Sequence, residues 1–317
     1  MSLRSLVFVW SSLIMLYAAP AAAVAPFVEG RWVERHLADP RIVLVDMSDD
    51  DTQYQRFHLP GAVRLPYEAL LRLRAVEVTG AADAGKDKSP RPAGESARIP
   101  VRLDDAELAG LLGRLGITRD KYVIVYDDVG GINAARLFWE LERIGHPKVS
   151  VLDGGLVKWI LEGRKVVNNA LAPKPAVYEL AGEGRPNEAS LADVKDAILN
   201  RATVLLDTRT HEEYVGVPKK PRPGHIPGAR LWPWEQGVDM AKGFVRAEET
   251  AIRKSLAAVG IKNSKTPIVA YCTSGQRATQ VYVTLRSLGF EDVRVYANSI
   301  NEYDLDPGNP LKQGARP

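Results

Sequence analysis

The chain has 317 residues, a formal charge of +3 at pH 7 and 45% hydrophobic residues. So small an excess of basic residues excludes the strongly basic surface that nucleic-acid partners require, and the apolar share is that of an ordinary globular protein. Cys272 is the only cysteine, which excludes an intramolecular disulfide.

Arg4 precedes an apolar run from Leu6 to Leu16, and the small residues Ala21, Ala23 and Ala25 follow at cleavage-site spacing. This pattern predicts a secretory leader over residues 1–25, with an apolar run too short to span a bilayer. The expected mature protein is exported, periplasmic or secreted, with no membrane attachment after cleavage. An unpaired cysteine in such a protein is either intermolecular or a free reactive thiol. A chemical role would explain why an oxidisable thiol is kept there.

The remaining length suits two domains, expected at 27–166 and 187–308 with a linker at 167–186. Arg31–Leu37 reads as a short helix. Ile42–Asp46 is an uninterrupted apolar run ending in an acid, the mark of a parallel strand buried on both faces. His58-Leu59-Pro60-Gly61-Ala62 reads as a turn. Residues 75–100 carry Ala, Gly, Pro and Lys without periodicity and predict a surface loop or lid. Leu103–Leu115 has helical spacing, Tyr122–Tyr126 reads as a strand, Ala134–Ile144 as a helix and Val149–Leu152 as a strand. Asp153-Gly154-Gly155 then turns into a helix that holds Trp159.

The second half repeats this order. Val204–Asp207 matches the strand ending at Asp46, and His225-Ile226-Pro227-Gly228-Ala229 matches the turn at His58. Tyr271-Cys272 matches Tyr126-Asp127, so an aspartate stands in the first half where the second has its cysteine. Tyr126 to Val151 is a step of 25 residues and Tyr271 to Val295 a step of 24. Ala297-Asn298-Ser299 followed by Tyr303 matches Asp153-Gly154-Gly155 followed by Trp159. Strands alternating with helices in each half predict an α/β fold of two domains, each a parallel sheet with helices on both faces. Ligands bind such sheets at the carboxyl ends of the strands.

Cys272 lies at such an end. Pro267–Tyr271 reads as a buried strand, and Thr273-Ser274-Gly275-Gln276 is a small polar loop whose glycine can take positive φ. From Arg277 onward, Ala278, Val281, Tyr282, Leu285 and Leu288 recur at helical spacing until Gly289. Loop N–H groups and the start of the helix stabilise negative charge on a sulfur placed there. Cys272 is therefore the expected nucleophile, with Arg277 either orienting the loop or meeting an anion. The five histidines have no metal-ligand spacing, so neither a metal nor a cofactor is expected.

With these motifs in hand, the chain resembles the tandem-domain rhodaneses, the thiosulfate and mercaptopyruvate sulfurtransferases. The resemblance rests on Leu206-Asp207-Thr208-Arg209, Gly224–Ala229, Cys272–Arg277 and the tail Tyr296–Tyr303, and it covers nearly all of the mature chain. It implies an inert first domain and a catalytic second one. It also implies a Cys272 persulfide made from a small-molecule sulfur donor and passed to cyanide or a thiol, a protein thiol included. Thr273, Ser274, Gly275, Gln276 and Arg277 would cradle the sulfur or donor, and Arg222 would fall near an arginine that mercaptopyruvate enzymes use. Asp207 and Arg209 would form a structural pair near the site, and His225 a structural turn. Asp127 could not carry sulfur.

The chain also departs from the family. Ser274 stands where animal thiosulfate enzymes have a second basic residue, Thr273 where mercaptopyruvate enzymes have glycine, and Glu213 where both have an arginine. These departures favour thiosulfate as donor, with Glu213 neutralised by Arg209, Lys219, Lys220 or Arg222. A phosphatase on the same fold is a rival, but the related phosphatases have five residues between cysteine and arginine, against the four from Thr273 to Gln276. A non-enzymatic sulfur carrier is the second rival. Because the linker is short, the domains are expected to pack with the Cys272 loop near their interface.

Overall fold

The computed structural model describes residues 24–77, 96–180, 182–216 and 222–317. Most of the expected leader, the middle of the 75–100 insertion, and Lys219 and Lys220 lie outside the described residues. No helix among the described residues is long and apolar enough to cross a membrane.

The first half runs β1 (Phe27–Val28), α1 (Gly30–Arg35), β2 (Ile42–Asp46), α2 (Asp51–Arg56) and β3 (Val63–Arg64). A 3-10 turn at Tyr67–Leu70 leads to β4 (Leu71–Glu77) and β5 (Ser96–Arg102). Then come α3 (Asp105–Arg114), β6 (Tyr122–Tyr126), α4 (Ile132–Arg143), β7 (Val149–Leu152) and α5 (Gly155–Leu161). The second half runs α6 (Leu191–Asn200), β8 (Val204–Asp207), α7 (His211–Val215) and β9 (Arg230–Leu231). It continues through a small antiparallel pair, β10 (Val238–Asp239) and β11 (Val245–Arg246), to α8 (Glu249–Ala258). Last are β12 (Ile268–Tyr271), α9 (Gln276–Ser287), β13 (Val293–Val295) and α10 (Ser299–Tyr303).

Two parallel sheets result, ordered β1-β7-β6-β2-β3 and β13-β12-β8-β9. The repeat holds at the level of register, since Asp46 pairs with Tyr126 and Asp207 with Tyr271. The central strands bury both faces, and alternate residues serve different cores. Val45, Val123, Val125, Leu206, Ile268 and Ala270 face one continuous core that joins the two sheets. Leu44, Ile124 and Tyr126 face an outer core with Val33 and Trp159. Leu205, Val269 and Tyr271 face the other outer core with Val194 and Tyr303. Helices therefore cover both faces of each sheet, as the alternating order predicts.

The halves meet along α4 and α9. Glu142 on α4 accepts a hydrogen bond from the Tyr282 hydroxyl and a 3.2 Å bond from Arg286 Nη2. Asn187, fully buried, accepts from Trp139 Nε1 through its carbonyl at 3.0 Å and donates through Nδ2 to the Trp139 carbonyl at 3.1 Å.

The expectation for residues 75–100 needs correction at both ends. β4 and β5 form an antiparallel hairpin from Leu71 opposite Arg102 to Glu77 opposite Ser96. The hairpin has only two strands, so Pro100 lies on an edge where its missing N–H is tolerated.

Candidate active site

Ile268, Ala270 and then Cys272 share one face of the chain, so strand alternation turns the cysteine toward the core between the two sheets. Its side chain is buried. The Cys272 N–H donates to Ser299 Oγ at 3.0 Å, and the Gly275 N–H donates to Cys272 Sγ at 3.1 Å. Gly275 takes φ 89°, and a Cβ there would sit 2.1 Å from the Ala297 carbonyl oxygen. Only glycine fits this turn.

The first half shows what such a loop holds. Asp127 is fully buried, and its carboxylate accepts N–H bonds from Val129, Gly131, Asn133 and Ala134 at 2.8–3.0 Å. Burial pushes its carboxyl up to about 6, against the lowering effect of those N–H groups. Gly131 and Gly275 each precede their helix, and the N–H groups of Ala135 and Thr279 close on their carbonyls at 2.9 Å. On this alignment the N–H groups of Arg277 and Ala278 correspond to those of Asn133 and Ala134. Among the described residues neither finds an acceptor. The second half therefore has amide donors in place beyond the sulfur that Gly275 already touches.

Around the loop, Arg277 Nη1 meets Glu213 Oε2 at 2.6 Å and Nη2 meets Oε1 at 3.1 Å, while Nη2 also reaches Thr273 Oγ1 at 2.9 Å. Thr273 donates to Glu213 Oε1 at 3.1 Å. Burial raises the Glu213 carboxyl, but the Arg277 pair outweighs it and holds the group at about 2. Burial likewise works against the charge on Arg277, yet Glu213 and the Cys272 sulfur raise its pKa on balance. Glu213 is thus neutralised as expected, but by Arg277 rather than by Arg209 or Arg222. Of the two roles expected for Arg277, the geometry favours holding the loop, because Nη1 and Nη2 both engage Glu213 and the guanidinium also reaches the Cys272 sulfur.

Arg222 is a correction. Its guanidinium pairs with Asp304 Oδ1 at 2.8 Å and donates to the carbonyls of Asp304, Asp306, Pro307 and Asn309. These contacts clamp the carboxyl-terminal tail and take up the guanidinium, so Arg222 is not available as the anion ligand expected from the sequence. Arg209 and Asp207 form a buried pair at 2.6 Å, closed by the Tyr271 hydroxyl at 2.8 Å and the Gly224 carbonyl at 2.9 Å. His225 stacks on Tyr214 at 3.7 Å and its Nδ1 lies 2.8 Å from the Tyr214 carbonyl. Both arrangements are buried and hydrogen-bonded within the second half.

Gln276 donates from Nε2 to Asn133 Oδ1, so the Cys272 loop touches the first domain directly. Ser274 lines a cavity of about 270 Å³ together with Tyr67, Leu71, Pro100, Arg136 and Asn298. Sequence reading missed Ser299, Asn133, Tyr67 and Arg136. The repeat held a signal for Ser299, which stands opposite Gly155. The two residues share positive φ, 53° and 51°. The others reach the site only through domain packing.

These features define a double-domain α/β protein with a single cysteine loop at the domain interface. The rhodanese-like domain model matches residues 29–162 and 190–306, and the chain belongs to that family. Among its relatives is a Mycobacterium bovis protein whose name places it provisionally with the thiosulfate sulfurtransferases. It is 30% identical over 303 residues, spanning 91% of this chain and 98% of the relative. The sulfur carrier protein TtuD of Thermus thermophilus is 29% identical, over 95% of this chain and 99% of its own. Among solved structures, SseA from Escherichia coli, reported with the 3-mercaptopyruvate sulfotransferases, superposes with a TM-score of 0.68. It is 26% identical, with 87% of this chain and 99% of that one covered.

Proposed function

We propose that the protein is a sulfurtransferase that moves sulfane sulfur from thiosulfate to a thiophilic acceptor through a Cys272 persulfide. The observation that carries this reading is the paired loops. One cradle is filled by the Asp127 carboxylate, and the other has Cys272 Sγ at the Gly275 N–H with two further N–H groups without acceptors. A persulfide adds one anionic sulfur beyond Sγ, which is what those amides can receive.

In the first half-reaction the Cys272 thiolate attacks the outer sulfur of thiosulfate. The Sγ–S bond forms, the S–S bond of the donor breaks, and sulfite leaves with the electron pair. In the second, cyanide or a thiolate takes the outer sulfur and the Cys272 thiolate returns. This is covalent, ping-pong catalysis.

Thiosulfate is favoured over mercaptopyruvate because Glu213 occupies Arg277 and the tail occupies Arg222, leaving neither free for a planar carboxylate. The same commitment of Arg277 weighs against a phosphatase, whose reaction needs a guanidinium over the loop. The name of the Thermus relative supports a second reading, a carrier that loads sulfur once for a partner protein.

Steady-state turnover with thiosulfate and cyanide separates these readings. An enzyme gives parallel double-reciprocal lines and many turnovers, with higher kcat/KM for thiosulfate than for mercaptopyruvate. A carrier gives one stoichiometric burst, and a preference for mercaptopyruvate refutes the donor assignment. Export is part of the proposal and rests on Arg4, Leu6–Leu16 and Ala21–Ala25. Amino-terminal sequencing of the protein recovered from a bacterial periplasm is expected to start near Pro26.

A further inference from the structure

The sulfurtransferase reading leaves the donor's anionic end without a partner in the catalytic domain. A nucleophile attacks in line with the bond it breaks, so the leaving sulfite lies on the far side of the outer sulfur from Cys272. The space beside the loop is the cavity that Ser274 shares with Tyr67 and Arg136.

Arg136 belongs to α4 of the first domain and is 1% exposed. Its Nε and Nη2 both turn to a single oxygen of Glu140, at 3.1 and 3.0 Å. No acceptor among the described residues takes its Nη1. The other Glu140 oxygen is held by Arg143 Nε at 3.0 Å. Two arginines thus share one buried carboxylate. The remaining acids lie farther out: Asp105, about half exposed, pairs with Arg143 at 2.6 Å, Glu188 attracts Arg136 but is paired with Arg102 at 2.9 Å, and Glu68 on the cavity wall is exposed beside Arg102. The buried part of this network carries an excess positive charge, which a low-dielectric site tolerates best when an anion can join it.

Tyr67 gives a second, independent sign. Its hydroxyl is sealed from solvent and has no partner. Arg136 is near enough to lower its pKa and the Cys272 sulfur near enough to raise it, although burial is the largest influence. The Arg136 guanidinium comes close enough to the Tyr67 hydroxyl to act on it as a hydrogen-bonding neighbour, without the geometry of a closed bond. A buried hydroxyl without a partner, within electrostatic reach of both a free guanidinium edge and the nucleophile, costs stability unless something fills the space.

We infer that Arg136 and Tyr67 form an oxyanion subsite for the donor, contributed by the domain that lacks the nucleophile, which binds the sulfonate of thiosulfate and the sulfite that leaves. Arg136 supplies charge and the Nη1 donor. Tyr67 supplies a hydroxyl donor. This gives the inert domain a part in substrate recognition and explains how the catalytic half manages with Arg277 and Arg222 already committed. The inference rests on the sulfurtransferase reading for the identity of the anion, but the subsite itself can be tested without turnover.

Cys272 is the only thiol, so its alkylation is read without interference. Iodoacetate and iodoacetamide are of similar size and differ in charge. In the wild type, iodoacetate is expected to react disproportionately fast and sulfite to protect Cys272 from iodoacetamide. Arg136→Gln is expected to lower the iodoacetate-to-iodoacetamide rate ratio about tenfold and to raise the half-protecting sulfite concentration by a similar factor, the scale of one charge-assisted hydrogen bond. The iodoacetamide rate itself is expected to stay within about twofold, because Glu140 keeps Arg143 and the packing survives. Arg136→Lys is expected to restore most of the ratio.

An unchanged ratio in folded Arg136→Gln overturns the inference, as does a parallel fall of both rates, which marks a structural role. A wild-type Cys272 that reacts with neither reagent also overturns it. Should Arg136→Gln fail to fold, Tyr67→Phe decides: weaker sulfite protection by about two- to fivefold supports the subsite, and unchanged protection refutes it. If the wild type turns over no sulfur donor while the ratio and protection shift as stated, the functional reading fails and the anion subsite stands.

Discussion

Replacing Glu213 by glutamine tests the cluster that shapes the catalytic loop. Glu213 accepts two bonds from Arg277, at 2.6 and 3.1 Å, and one from Thr273, with side-chain exposure of only 23% and 21% across the ion pair. Its carboxyl is held at about 2 against a usual 4.5. At about 1.4 kcal/mol for each pH unit, that depression corresponds to about 3 kcal/mol at most. Solvent reaching the pair screens it, so about 1.5 kcal/mol is the expected loss at pH 7. The sign follows from the depressed value: the contribution is present above pH 4.5 and is lost as pH falls through about 2. Urea unfolding of both proteins from pH 3 to pH 8 is the assay. Glutamine mimics the protonated acid and can still accept from Thr273, so the two stability curves are expected to run parallel above pH 5 and converge toward pH 3. A difference independent of pH, or none at pH 7, would refute the assignment of Glu213 to a charged pair with Arg277.

Three further outcomes follow from the site. Cys272→Ser is expected to fold normally and to transfer no sulfur, since a hydroxyl forms no persulfide; residual turnover in the folded variant excludes the covalent route. Gly275→Ala combines a φ of 89° with a Cβ placed 2.1 Å from the Ala297 carbonyl. It is expected to cost about 2 kcal/mol or more in urea unfolding and to suppress persulfide formation seen by intact mass, and a neutral result refutes the cradle. Asp127 is expected to titrate near pH 6 by carboxyl NMR because burial raises it. The folded state then holds that proton more tightly than the unfolded chain, so this residue's contribution to stability declines as pH rises from 3.8 through about 6; a midpoint near 4 refutes it.

The strands were legible because burial on both faces writes them as unbroken apolar runs. Ile42–Asp46, Tyr122–Tyr126, Val149–Leu152 and Val204–Asp207 are read from sequence with the bounds the structure has. The repeat, the family and Cys272 at a strand end were equally legible, since each is a property of order along the chain. The hairpin of β4 and β5 was not: β4 is exposed from Arg72 to Ala75 and, among the described side chains of β5, only Ile99 and Val101 are buried, so Arg72, Arg74 and Arg98 mask the alternation.

What sequence alone determined is therefore local: a strand, a glycine turn and a helix that together place one sulfur among amide donors. What only the tertiary structure decided is the company that sulfur keeps. Arg277 and Glu213 lie 64 residues apart, and Gln276 and Asn133 lie 143 apart. Nothing in either segment specifies its partner, because charged and amide groups pair with whatever the fold brings within about 3 Å. Arg222 shows the converse, a residue whose place in the chain suggested a ligand and whose packing made it a clamp on the tail. Strand parity turned Cys272 toward the first domain, and domain packing then set Tyr67 and Arg136 beside its loop.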